Sequence, residues 1–483
     1  MRDVLAVLGD RVSVERQPAF QIERADSAAA IAAYRTLRTR VFVEEQGLFA
    51  GHDLDEHDED PRTVILVARD REGTVIGGVR LYPAVDEPDL GWWIGGRLVV
   101  APTHRRRTVA PPVLPAARTA RTTAATSAGR VGAALVRAAC AYAENAGVMR
   151  FEATIQVRNE TMFARLGWHR IRPVTVAGTP HVLMRWHIGR IQALVDATKR
   201  DLGSLLTGLA GTPGFVGDDG VPVPGSDLVA ACDAILPSMV ERDPEWAGWC
   251  SVLVNVNDLA AMGAEPVGLL DALGARDRSF ASRVLAGLRR ASEAYGVPVL
   301  GGHTQFGVPA ALSVTALGKT SHPVPGGGGR PGHAVRLTAD LGGRWRPGYA
   351  GRQWDSTTSR RKPELHAMLA SVGQARPAAA KDVSMAGVAG TLGMLAEASG
   401  CGAELDLARV PRPAGTSVGD WLTCFPGFAM LTADEPGTGP LAAGPAVSVD
   451  CGRLVPGHGV VLRWPDGERT EVLTGGVTGL GRA

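Results

Sequence analysis

Three short islands in one order constrain the second half of this chain more than any other feature: GDD at 217–219, NVNDLAAMGAEP at 255–266 and GGHT at 301–304. Asp218, Asp219 and Asp258 offer hard carboxylate oxygens, the ligand type that holds Mg²⁺ against phosphates. Gly301 and Gly302 lack a Cβ and let a backbone approach a phosphate closely. The apolar run 251–256 predicts a strand and residues 259–263 a helix start, so Asp258 is expected at a strand-to-helix turn, where function tends to collect. Taken singly, Asp258 reads equally as a helix N-cap and the glycines as turn residues. Three islands in this order favour nucleotide chemistry.

At these residues the chain resembles the family of aminoimidazole ribonucleotide synthetase and thiamine-monophosphate kinase, over about residues 190–483. The resemblance implies a two-half, α+β, PurM-like synthetase fold that uses ATP and Mg²⁺. Asp233, in VAACDAI, matches a further metal carboxylate of that family. KDVSMAGVAGTLGMLAEASGCGAELDL, 381–407, matches its D-x-SDG helix, with Asp382 retained and Ser384, Met385 and Ala386 where relatives carry SDG. His303 likewise stands where relatives carry the acid of GGDT. The implied metal set is therefore Asp218, Asp219, Asp233, Asp258 and Asp382, and the implied ATP phosphate contacts are Gly301, Gly302, His303 and Thr304. The resemblance also implies a homodimer formed through the first of the two halves.

The first third reads differently. IAAYRTLRTRVFV, 31–43, has helical spacing, and TVILVAR and TVIGGVRLY alternate as strands about an EGT turn. A strand WWIGGRLVV, a helix VGAALVRAACAYAENAG, a strand RFEATIQV and a short helix NETMFARLGW follow. The words RTRVFVEEQG (38–47), DLDEHDED (53–60), GRVGAALV (129–136) and RNETMFARLGW (158–168) resemble the GNAT N-acetyltransferases over about residues 20–187. That resemblance implies an α/β acyltransferase fold with acetyl-CoA or another acyl-CoA as donor. Arg97, Leu98, Val99 and Val100 would lie along the pantetheine, and the amides of Gly129, Arg130, Val131, Gly132, Ala133 and Ala134 would hold the pyrophosphate at a helix start. Asn159 matches the family's asparagine. Glu44 and Glu45 are candidates for orienting or deprotonating an amine. The acidic run 53–60 reads more simply as a solvated charged loop. Residues 108–128, rich in Ala, Pro, Thr and Arg, predict a loop inserted before the glycine turn.

Composition bounds the rest. At 483 residues with 45% hydrophobic and 21% charged, the chain is expected to form several domains. The expected layout is an N-terminal extension (1–19), an acyltransferase unit (20–187), and two synthetase-like halves (190–325 and 326–483) joined by a Gly/Pro linker at 323–332. A net charge of +2 gives no broad field for nucleic acid or anionic membrane and favours small-molecule substrates. Six cysteines without a CxxC argue against a disulfide frame or zinc site. The first residues do not read as a signal peptide, and no apolar run reaches the ~18 residues of a membrane helix, so a cytoplasmic protein is expected. The functional expectation is a bifunctional enzyme, an acyl-CoA-dependent N-acyltransferase fused to an ATP- and Mg²⁺-dependent synthetase or kinase unit. The rival expectation is a non-catalytic nucleotide sensor or scaffold.

Overall fold

The computed structural model describes residues 19–105, 131–209 and 211–483. The expected extension at 1–19, but for its last residue, and the insert at 108–128 lie outside the described residues, as do Gly129 and Arg130. The chain divides into two compact units, Met1–Ile188 and Gly189–Ala483.

The first unit is one seven-stranded sheet in the order β1-β2-β3-β4-β5-β7-β6. Its strands are β1 (Phe20–Arg24), β2 (Val64–Asp70), β3 (Val75–Pro83), β4 (Trp92–Val100), β5 (Arg150–Gln156), β6 (Trp168–Val176) and β7 (Thr179–Trp186). The helix Ala28–Arg38 covers one face, packing Tyr34 and Leu37 on Ile65, Val67 and Val99, and the helix Val131–Asn145 belongs to the larger core around Phe151, Ile155 and Trp168. The helical pattern expected through Val43 changes character at Thr39: Thr39–Glu45 is a π-helix, the wider winding that often marks functional segments. All neighbours pair antiparallel except β4 and β5, which run parallel only from Trp92–Arg150 to Gly95–Ala153. Beyond Gly95 that ladder ends, and the two strands become the walls of a cavity.

The start of that gap coincides with a bulge. Arg80 pairs with Gly96 and Gly78 with Val99, so β4 carries one more residue than β3 there. Arg97 takes the extra position at φ 52, unusual for a side chain with a Cβ. Its surroundings over-determine it. Tyr34 Oη donates to the Arg97 carbonyl at 2.8 Å, and the Arg97 guanidinium donates to the Asp53 carbonyl at 3.1 Å and to Asp55 Oδ2 at 2.9 Å.

The second unit is α+β, with two large sheets and a two-stranded one among the described residues. The first, in the order β11-β10-β12-β9-β8, contains β8 (Val221–Pro222), β9 (Leu228–Ile235), β10 (Glu265–Ala275), β11 (Val299–Phe306) and β12 (Ala311–Lys319). Next in the chain come β13 (Ala334–Ala339), the two-residue pair β14 (Arg344–Trp345) and β15 (Trp354–Asp355), then β16 (Ala379–Asp382), β17 (Gly402–Asp406), β18 (Ala429–Asp434), β19 (Val447–Val455), β20 (Val460–Arg463) and β21 (Arg469–Leu473). The second sheet has the order β16-β18-β13-β19-β17-β20-β21. One core joins the two: Val252, Leu253 and Val256 pack in the same cluster as Val314 of the first sheet and Phe428 and Met430 beside the second.

Three local expectations are corrected. Residues 251–263 hold no strand; Pro244–Ala261 is a single helix, capped by Asp243 accepting from Trp246 N. Nearly every residue of it is buried, so the apolar run has no polar face to betray a helical period. Asp258 therefore sits in the last helical turn. GGHT is not a turn but lies within β11, an exposed edge strand parallel to β10. The four glycines 326–329 are not a slack linker. A Cβ on Gly326 would meet Asp218 and Lys381, one on Gly328 the Ala378 carbonyl, and one on Gly329 Leu454 and Ser399. Only glycine permits so close an approach.

Candidate functional site

The carboxylates of Asp219, Asp258 and Asp382 offer oxygens that all lie within 4.8 Å of one another. Three elements bring them together: the GDD loop, the C-terminal turn of the Pro244–Ala261 helix, and the end of β16. Asp258 and Asp382 are buried, and neither carboxylate has a hydrogen-bond donor among the described residues. Asp219 is tied down, accepting from Asp382 N at 2.8 Å and from Lys381 Nζ at 3.1 Å. Asp233 on β9 lies outside the trio but within electrostatic reach of Asp258 and Asp382.

Burial, reinforced by Asp382, Asp233 and Asp219, pushes the Asp258 carboxyl well above the usual carboxylate range, and burial with Asp219 and Asp233 does the same to Asp382. Lys381, the ammonium bonded into the cluster, does not balance it, nor does Lys199, which acts on Asp382 and Asp233 from farther off. Lys381, 2% exposed, donates to the Gly217 carbonyl at 2.9 Å and stands 3.8 Å from Asp218 Oδ1. Asp218 turns away from the trio, its Oδ2 accepting from Gly326 N at 2.8 Å. Burial raises its carboxyl to about 6, with Lys381 only partly offsetting the effect. Facing carboxylates without donors are costly unless a cation joins them, and an all-oxygen set suits a hard divalent ion.

Of the five expected metal residues, the fold thus gathers three tightly and places Asp218 beside Lys381 and Asp233 at the rim. Gly301, Gly302, His303 and Thr304 lie on β11, separated from β9 by β10 and β12. The tight neighbour at Gly302 is Asp271 of the adjacent strand. Ser384, Met385 and Ala386 form the turn after β16, with Met385 exposed. Lys381 and the glycine run went unread in the sequence as site residues. Their signal was present: a lysine directly before Asp382, and four consecutive glycines.

The first unit encloses a cavity of about 300 Å³ where β4 and β5 part. Arg97, Leu98 and Asn159 line it. Val99 is buried on the opposite face, against Tyr34, and Val100 packs in the larger core. Val131, Gly132, Ala133 and Ala134 form the first turn of the helix behind β4, with Val131 and Ala134 buried. Glu44 and Glu45 lie outside the cavity; both are exposed, and Glu45 pairs with Arg105.

The acidic run 53–60 is not a solvated loop. Arg38, fully buried, binds Asp53 at 2.7 Å and Asp58 at 2.5 Å. Arg80 binds Asp55 at 2.6 Å and Asp58 at 2.7 Å, and Arg97 binds Asp55 at 2.9 Å. Although burial opposes ionisation, the Arg38 and Arg80 guanidiniums hold the Asp58 carboxyl well below the usual range.

Profiles of known families meet the second unit at these same elements. Residues 217–320 match the N-terminal domain, and residues 331–460 the C-terminal domain, of the AIR synthase related proteins. The uncharacterized protein sll0787 of Synechocystis is 36% identical over 228 residues, 46% of this chain and 70% of that one. The chain belongs to the AIR synthase related family. A second relative of this AIR synthase related chain, the uncharacterized protein MJ0640 of Methanocaldococcus jannaschii, is 34% identical over 39% of the chain and 61% of its own length. The thiamine-monophosphate kinase of Halobacterium salinarum is 33% identical over 34% of the chain and 58% of its own length. Among solved structures, tt0281 from Thermus thermophilus has 25% identity and a TM-score of 0.44 over 54% of this chain and 95% of its own. T. maritima PurL complexed with ATP has 17% identity and a TM-score of 0.48 over 62% of the chain and 53% of its own. The matched profiles lie wholly within the second unit of the AIR synthase related chain. Among the described residues, no helix is long and apolar enough to cross a membrane.

Proposed function

We propose that the second unit binds ATP with Mg²⁺ and phosphorylates or activates a small molecule. The observation that carries this is the trio Asp219, Asp258 and Asp382, with two carboxylates buried and lacking donors. Asp219, Asp258 and Asp382 would hold the ion, with Asp218 and Asp233 as its outer acids and Gly301, Gly302, His303 and Thr304 toward the phosphates. Bound Mg²⁺ supplies neutralisation of the charge that develops on a transferring phosphoryl group. The chain's own part is to fix that charge: Lys381 holds Asp219 in place, and Gly326 N holds Asp218. Membership of a kinase- and synthetase-like family supports the reading, as do the relatives that are thiamine-monophosphate kinases. A homodimer through the 190–325 half, in the cytoplasm, completes this reading.

For the first unit we propose acyl transfer from acetyl-CoA or another acyl-CoA to an amine. Three features support it: the parallel β4–β5 pair that ends at Gly95, the bulge at Arg97, and the helix start at Val131 behind β4. Calorimetry of the full chain with Mg-ATP and, separately, with acetyl-CoA tests both assignments. Binding of both with turnover supports a bifunctional enzyme. Binding without turnover favours the rival sensor, for which the SMA sequence at 384–386 speaks because it lacks a carboxylate. Failure of Mg-ATP to bind overturns the first assignment, and failure of acetyl-CoA the second.

A further inference from the structure

The cavity of the first unit has a peculiar wall chemistry. Its body is aromatic, with Phe42, Phe49, Phe151, Phe163 and Trp168, and among the described residues no aspartate or glutamate lines it. Of the lining arginines, Arg80 and Arg97 are committed to Asp55. Arg158, in the turn Val157–Asn159 after β5, is exposed and has no hydrogen bond or ion pair among the described residues. Glu45 acts on it electrostatically, but that carboxylate is already paired with Arg105.

Beside that turn, paired in the sheet with Gln156 of β5, stands His181 of β7, 5% exposed. Its Nδ1 lies 2.8 Å from the Thr179 carbonyl oxygen. A carbonyl oxygen can only accept, so Nδ1 carries a hydrogen, and in the neutral ring the lone pair resides on Nε2. Nε2 has no hydrogen-bond partner among the described residues. A buried imidazole with its basic nitrogen left over, in an aromatic-walled cavity whose Arg158 has no partner among the described residues, is a constellation for handling a proton beside an anion.

We propose that this cavity takes an amino acid with an apolar side chain, its carboxylate on Arg158 and its side chain on the aromatic wall, and that His181 is the general base. The proposal rests on the acyl-transfer reading above. With no acid in the wall, the cavity does not stabilise an ammonium group, so the amine is favoured in its neutral, nucleophilic form. Its nitrogen attacks the thioester carbonyl carbon. The C–N bond forms, the C–S bond breaks, and the amine proton passes to His181 Nε2. The same proton then goes to the departing thiolate, which leaves as the free thiol and restores neutral His181. No oxidant or metal enters the balance.

The test uses the full chain and two matched pairs of probes differing only in the carboxylate. In calorimetry, N-acetyl-L-phenylalanine should bind at least roughly tenfold tighter than N-acetylphenethylamine, as a charge-assisted bidentate contact warrants. Arg158→Gln should abolish most of that preference. In a thiol-release assay with acetyl-CoA, L-phenylalanine should outpace phenethylamine. His181→Asn should slow it by about a hundredfold or more while leaving N-acetyl-L-phenylalanine binding intact, which also reports that the variant is folded. If the variant binds poorly, His181→Gln serves instead, judged by the same two readouts. Equal or tighter binding of the uncharged probe overturns the carboxylate site. Undiminished thiol release in a folded His181 variant overturns the base. Binding of N-acetyl-L-phenylalanine with no thiol release from any acceptor refutes the acyl-transfer reading and His181's role together, and leaves the carboxylate site standing.

Discussion

Each unit contains a knot of charged side chains, and the two are built on opposite balances. In the first, Arg38, Arg80 and Arg97 meet Asp53, Asp55 and Asp58, three cations against three anions. In the second, Lys381 is bonded in among Asp218, Asp219, Asp258 and Asp382, with Asp233 nearby and Lys199 acting on Asp233 and Asp382 from farther off, two cations against five acids. A neutralised network needs nothing from outside and fixes geometry, here the bulge at Arg97. A network short of positive charge is unfinished as a structure, and its deficit marks a place for a ligand. The same residue type, buried aspartate, is scaffold in one unit and candidate machinery in the other.

The comparison breaks most visibly through Arg38. Replacing it with alanine removes the shorter ion pairs of Asp53 and Asp58, leaving Asp53 only Arg97 at 3.4 Å and Asp58 only Arg80 at 2.7 Å, and should cost about 3–5 kcal/mol of stability. Denaturant unfolding followed by tryptophan fluorescence reads this; a loss below about 1 kcal/mol would mean the network is ornamental.

Asp258→Asn should do the reverse to stability while harming function. Removing one of the crowded carboxylates relieves buried repulsion, on the order of 1 kcal/mol for each pKa unit of strain removed. The ion-free protein should therefore melt higher, while the Mg²⁺-dependent part of ATP binding weakens at least roughly tenfold. A variant that melts lower and binds Mg-ATP normally would assign Asp258 to the scaffold.

A pH series separates the two knots without mutation. The Asp218 carboxyl, raised to about 6, holds its proton more tightly in the fold than in the unfolded chain, and Asp258 and Asp382 shift in the same direction. Protonation therefore favours the fold, and with chelator present stability should fall as pH rises from about 5 to 7. Mg²⁺ with ATP should flatten that slope. Asp58 is lowered instead, so its contribution persists across that range and is lost only in strong acid. A melting temperature in chelator that stays level from about pH 5 to 7 would contradict the charge deficit.

The smallest effect is expected at His303. It is exposed on an edge strand, so His303→Ala should change stability by less than about 0.5 kcal/mol. A change in Mg-ATP affinity in the same variant would bring β11 into the nucleotide site; an unchanged affinity would leave it an ordinary strand residue.

Much of this was legible before any coordinates. The strands expected from TVILVAR and TVIGGVRLY are β2 and β3, though both are buried in unbroken runs rather than on alternate residues, and the three acids of the trio sit in motifs that a reader meets in order. What failed to show has physical causes. The helix Pro244–Ala261 is buried on all sides, and periodicity needs a wet face. The run 53–60 looks like a surface loop because its partners, Arg38, Arg80 and Arg97, are remote in sequence or lie on other elements. Lys381 is a single residue whose meaning depends on where the GDD loop, far earlier in the chain, comes to rest. The strands β6 and β7 went unread, and with them His181, the group that gives the first cavity its basic nitrogen.

The glycine run at 326–329 bears on how this molecule can change over generations. A stretch of Gly and Pro between two sheets invites recombination, since a crossover in a slack join would exchange one finished piece for another. Here the join is itself a part: Gly326 N grips Asp218, and Gly329 N bonds to Ser399 Oγ at 3.1 Å. A crossover inside it would sever an acid from its clamp. The two halves are therefore expected to tolerate exchange only as a pair, whereas a join before Gly189 falls where one compact unit ends and the other begins.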